Sequence, residues 1–76
     1  MLMVKSDLME KFFSQKDLQL SWAREDGALP LRRATDDTQG VLIITDLRVS
    51  DSGVYVCSAT DGEKIARERT TITVSG

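Results

Sequence analysis

From Leu18 to Val74 apolar and polar residues alternate with a period of two, interrupted by clusters of turn formers, and this rhythm restricts the chain more than any other feature. Alternation puts successive side chains on opposite faces, so each run can bury one face only by joining a sheet. Leu18, Leu20 and Trp22 share one side, against Gln19, Ser21 and Ala23. Asp26-Gly27 and Pro30 then turn the chain, because Gly accepts positive φ and Pro fixes its own. Leu31 to Thr35 reads as a short edge strand, Asp36 to Gly40 as a polar turn, and Val41 to Thr45 as a strand. Asp46 to Gly53 is polar apart from Leu47 and Val49 and feeds Val54 to Thr60, in which Tyr55, Cys57 and Ala59 share a face. Asp61-Gly62 is a favoured hairpin turn. The last strand runs from Ile65 to about Val74, with Ile72 and Val74 on one side. Short, closely spaced strands with no helix after Leu18 predict an all-β, antiparallel sandwich.

With 76 residues, 41% of them hydrophobic, the chain holds one small domain. A domain of this size buries about 60% of the surface its unfolded form exposes, so function is expected on surfaces and not in a deep cleft. The formal net charge of -2, with no block of like charge, argues against nucleic acid or an anionic membrane as partner. There is no His and a single Cys, Cys57, so neither a Cys/His zinc site nor a His-dependent nucleophile can be assembled. The expectation is therefore no catalytic residue, no cofactor, no metal and no enzyme activity. One Cys also closes no internal disulfide. Met1-Leu2-Met3-Val4 is apolar, but Lys5 and Asp7 interrupt it before a signal-peptide core or membrane span is reached. The absence of Asn removes any N-glycosylation acceptor.

Residues 1–17 carry two readings. Leu8, Met9, Phe12 and Phe13 have helical spacing, whereas Leu2, Val4 and Leu8 fit a strand equally well. A compositional shift near Lys16-Asp17 divides the chain into an N-terminal segment, 1–17, which is a partial strand or a non-native extension, and a domain over 18–76.

The run Leu42-x-Ile44-x-x-Leu47-x-x-x-Asp51-x-Gly53-x-Tyr55-x-Cys57, with Trp22 lying 35 residues before Cys57, resembles the immunoglobulin superfamily. The resemblance maps Leu42 and Ile44 onto strand E, Leu47 to Gly53 onto the turn after it, and Tyr55 and Cys57 onto strand F. It implies a tyrosine corner at Tyr55 and a Trp22 side chain packed on Cys57 from strand C. Gly53 suits a turn in which a side chain would obstruct that corner. Within the superfamily the I-type repeats are most similar, and Trp22 to Pro30 together with Gly40 to Ile44 looks like the repeats of perlecan-type basement-membrane proteoglycans. The pattern departs upstream, where the family places a partner Cys on strand B and this chain has Leu8, Met9 and Glu10. The expected fold is thus an immunoglobulin-like sandwich lacking part of strands A and B, which would leave an unpaired edge beside strand E.

Buried core is the expected place for Cys57. Glu25-Asp26 and Asp36-Asp37 read as solvated turn residues and not as a calcium site. The resemblance pairs Asp51 with a basic residue at the start of strand D, Arg32 or Arg33. Arg67 and Arg69 alternate with Glu68 along a solvated strand face. Ser52-Gly53 and Ser75-Gly76 match the minimal context for glycosaminoglycan attachment by coincidence. If Leu42 and Ile44 point inward, Val41 and Ile43 point outward, and Val54 and Val56 do the same on strand F. These four form the expected interaction surface, with neighbouring immunoglobulin repeats, matrix proteins or a second copy as partners through faces and strand edges. The resemblance implies a binding or spacing module of a secreted extracellular matrix protein. A titin-like muscle spacer and a ligand-binding domain of a cell-surface receptor are the alternatives.

Overall fold

The computed structural model describes residues 1–8 and 18–75. Among these, six strands run in chain order: β1 (Leu2–Lys5), β2 (Gln19–Arg24), β3 (Ala34–Asp36), β4 (Val41–Ile44), β5 (Gly53–Thr60) and β6 (Ile65–Ile72). A 3-10 turn spans Val49–Asp51. The strands form two three-stranded sheets, β1-β4-β3 and β2-β5-β6, antiparallel throughout. Two antiparallel sheets packed over one core make the expected all-β sandwich, and their strand orders correspond to B-E-D and C-F-G of the immunoglobulin fold.

The core is built from the inward member of each alternating pair. Leu20 and Trp22 of β2, Leu42 and Ile44 of β4, Tyr55, Cys57 and Ala59 of β5, and Ile72 of β6 are all buried, together with Leu8. Burying each large side chain contributes roughly 1.5–3 kcal/mol, so the alternation is also what sets the register. Leu47 and Val74 pack partly buried against this cluster.

The segment before residue 18 supplies more of the fold than its sequence indicates. β1 pairs with β4 along its whole length, from Leu2 opposite Ile44 to Lys5 opposite Val41. The edge beside strand E, expected to be unpaired, is therefore covered by β1, whose Leu2 and Val4 turn toward the core. The Ser6 N–H continues the ladder by donating to the Gly40 carbonyl at 2.8 Å. The helical spacing of Met9, Phe12 and Phe13 falls outside the described residues.

The edge strand expected at Leu31 to Thr35 is displaced to Ala34–Asp36. The Pro30 carbonyl accepts hydrogen bonds from the Arg33 and Ala34 N–H groups at 3.3 and 3.1 Å, and Arg32 sits at φ 64. A turn thus consumes residues 31–33, and extended pairing with β4 starts only at Ala34 opposite Ile44. The last strand stops at Ile72 and not at Val74, because the Val74 N–H leaves the ladder and donates to Ser52 Oγ at 2.9 Å.

Candidate functional site

Of the residues singled out by their spacing, Asp51, Gly53 and Tyr55 meet at one end of the sandwich. Tyr55 is fully buried, and its hydroxyl donates to the Asp51 carbonyl at 2.6 Å, which is the tyrosine corner. Burial pushes its phenol up from the ordinary pKa, opposed by the nearby Arg24 guanidinium. Arg24 ends β2 with its guanidinium 5.7 Å from the centre of the Tyr55 ring. From there it donates to the carbonyls of Ser50 and Ser52 at 3.0 and 2.8 Å and to Asp26 at 3.0 Å. Gly53 lies beneath it at φ 156, where a Cβ would come within 3.3 Å of the guanidinium nitrogens. Glycine at this position is what lets Arg24 close over the corner.

Asp51 meets Arg33, not Arg32. The pair is bidentate, with both N···O distances 2.8 Å, and the Arg48 N–H adds a third bond at 2.9 Å. The Asp51 side chain is 2% exposed and that of Arg33 18%. The hydrogen bonds from Arg33, outweighing the cost of burial, lower the Asp51 pKa to about 2. Arg33 also donates to the carbonyls of Thr45 and Asp46 at 3.3 and 2.9 Å, so this one guanidinium ties β3, the end of β4 and the 3-10 turn together.

Trp22 packs in the core beside Cys57, its direct cross-strand partner. Its indole N–H donates to the Gly40 carbonyl at 3.1 Å, while its backbone N–H donates to Asp36 Oδ2 at 2.8 Å. Asp36 is therefore not a solvated turn residue; it satisfies the open edge of β2. Cys57 is unpaired and fully buried. Burial pushes its thiol up, against a hydrogen bond with the Ser6 hydroxyl. Ser6 is 1% exposed and stands beside the thiol that, in the family pattern, faces a second Cys. Neither the Ser6 contact nor the Arg24 clamp was read from the sequence. Both join positions far apart in the chain, and no local spacing signals them.

The acidic turns do not gather into a metal site, and no metal-ligand cluster occurs among the described residues. Asp37 accepts backbone N–H bonds from Gln39 and Val41 at 2.7 and 2.9 Å. Glu25 pairs with Arg69 at 2.8 Å, and Asp26 with Arg24. Ser52 Oγ accepts the Val74 N–H bond within the corner, and Ser75-Gly76 extends past the described residues.

Val41, Ile43, Val54 and Val56 turn away from the core, yet each is half-buried by its flanking side chains. They do not form one surface. Val41 and Ile43 lie on the outer face of β1-β4-β3, in cross-strand rows with Lys5, Met3 and Thr35. Val54 and Val56 lie on the opposite outer face of β2-β5-β6, whose rows read Gln19-Thr60-Ile65, Ser21-Ser58-Arg67 and Ala23-Val56-Arg69. At the hairpin end of this second face a groove of about 630 Å³ opens, lined by Leu18, Gln19, Ser21, Thr38, Ser58 and Arg67 among others. Residues of β2, β5 and β6 line it together with Thr38 and Gln39 of the turn before β4.

The two sheets, the tyrosine corner and the Trp22–Cys57 packing define an immunoglobulin-like domain. The immunoglobulin V-set family model matches residues 10–75, and the chain belongs to that family. Human Roundabout homolog 2 is 49% identical over 43 residues, which is 54% of this chain and 3% of that protein's length. The family model matched is the V-set; neither match carries the I-type or perlecan-type resemblance read from the sequence.

Proposed function

We propose that the chain is a non-catalytic, extracellular protein-interaction domain of the ligand-binding kind found on cell-surface receptors, working through the outer face of β2-β5-β6. The groove on that face carries this reading. A domain that only spaces its neighbours needs rigidity and its two ends, whereas a concave face lined by hydroxyl, amide and guanidinium groups is shaped for a ligand. The three strands beneath it are six, eight and eight residues long, against four, four and three on the other sheet, so this face is also the broader one. Similarity to the V-set family and to Roundabout homolog 2 supports the choice over a perlecan-type matrix spacer or a titin-like one.

Fluorescent tetramers of the chain applied to intact cells test the reading. Val56→Arg, at the centre of the proposed face, should abolish surface staining, and Ile43→Arg, at the matching place on the other face, should leave it. Staining that survives the first change and is lost with the second would move the interface to β1-β4-β3.

Self-association through the outer edge of β1 is a second contact. It is favoured by Met3, 60% exposed, on a strand that, among the described residues, has a partner strand on one side only.

A further inference from the structure

Arg67 and Arg69 stand on the same side of β6 and differ in one respect. Arg69 is neutralised by Glu25 at 2.8 Å. The Arg67 guanidinium makes no hydrogen bond or ion pair with the described residues, and among those residues it is the sole charged side chain lining the groove. In its cross-strand row it faces Ser58 and, beyond it, Ser21, so two hydroxyl groups and an unneutralised guanidinium border the same space. The neighbouring row contributes Gln19, Thr60 and Ile65, the last 62% exposed, and Leu18 closes the rim.

Resting on the reading of this face as a protein-binding surface, we infer that the groove takes an acidic segment of a partner protein, with one Asp or Glu carboxylate seated on Arg67. The guanidinium presents paired N–H donors to a planar carboxylate, and the serine hydroxyls supply further donors. A single cation flanked by Ile65 and Leu18 matches a lone carboxylate set among apolar side chains. A polyanionic sugar would call for several cations, and Glu25 has already removed Arg69 from that role. The segment lies across the face and does not extend the sheet. Asp36 occupies the Trp22 N–H at 2.8 Å, so the edge of β2 cannot offer a continuous ladder to an added strand. Backbone groups of the segment instead meet the side-chain amides of Gln19 and Gln39 and the hydroxyl of Thr38.

The test is an amide-resolved NMR titration of the full chain with two end-blocked heptapeptides of alternating Val and Thr, one with a central Glu and the other with Gln in its place. A third probe, sialyllactose, represents anionic sugars. The Glu peptide should shift the amides of Ser21, Ser58, Thr60 and Arg67, and the Gln peptide should bind about tenfold more weakly. Arg67→Gln, an exposed change whose folding is checked in the same spectra, should erase that difference, and Arg69→Gln should preserve it. Added salt should weaken the Glu peptide alone. Equal binding of both peptides at this face would overturn the carboxylate assignment while leaving the protein-binding reading in place. Shifts with sialyllactose and none with either peptide would overturn both, and silence toward all three probes would overturn the inference.

Discussion

Asp51 is a carboxylate held almost completely out of water, and it stays charged because Arg33 and the Arg48 N–H give it three hydrogen bonds. Removing the carboxylate takes the acceptor from the Arg48 N–H and from both Arg33 nitrogens. Asp51→Ala should therefore lower the unfolding free energy in urea titrations. The same pair sets a pH dependence of definite sign. The folded-state pKa of Asp51 is about 2, below its ordinary value of 3.8, so the unfolded chain binds the proton more readily. The stabilisation is complete above pH 4 and disappears as the pH falls toward 2. The stability gap between the natural chain and Asp51→Asn should shrink over that interval; a constant gap would mean that Arg33 does not hold the carboxylate down. Ser6 offers a second residue-level expectation. Ser6 and Cys57 are both buried, and Ser6 stands where the family pattern places the partner Cys, so Ser6→Cys should close a disulfide on oxidation, seen as loss of thiol titration. The bridged form should be more stable than the reduced form of the same variant by about 2–4 kcal/mol.

At the scale of the strand, local and distant information separate cleanly. β2, β4, β5 and β6 were legible because each alternates over four or more residues and is bounded by turn formers. Their inward residues, Trp22, Leu42, Ile44, Tyr55 and Cys57, were named from that alternation and the family spacing. β1 was legible only as one of two readings: the strand spacing of Leu2 and Val4 stood beside a helical one, and the partner that decides between them, β4, lies far along the chain. The start of β3 was obscured by Arg32, whose positive φ no side-chain pattern announces. The same limit applies to the interaction surface. Alternation sets Val41, Ile43, Val54 and Val56 opposite the buried residues of their strands, but only the sheet orders reveal that the two pairs lie on opposite faces. Asp36 is the instructive element-scale residue, since a polar turn composition hid its bond to the Trp22 backbone. Asp36→Ala leaves that N–H without its acceptor on the open edge of β2. The expected cost is about 1–3 kcal/mol, read from the urea midpoint, whereas Asp26→Ala in the neighbouring exposed turn should cost under about 1 kcal/mol.

Among the described residues the two three-stranded sheets have four strand edges, and they are not equally protected. β3 is only three residues long, β2 has its Trp22 N–H occupied by Asp36, and β6 carries Arg67 and Arg69 along its exposed side. Short length, satisfied donors and charge are the usual ways in which an edge is kept from pairing with another chain. β1 has less of this protection, because Met1 and Met3, 80% and 60% exposed, border its outer edge. Two copies of β1 related by a two-fold axis through Met3 would set Leu2 opposite Val4 and join two sheets into one of six strands. The chain should therefore dimerise at high concentration, measured as solution mass by light scattering coupled to size exclusion. Reductant should make no difference, because Cys57 is fully buried. Met3→Lys would place two ammonium groups against each other at the axis and should return the monomer, while Ile65→Lys, on an exposed strand of the other sheet, should leave the dimer intact. A dimer that dissolves on reduction would relocate the contact to Cys57, and one that survives Met3→Lys would remove β1 from the interface.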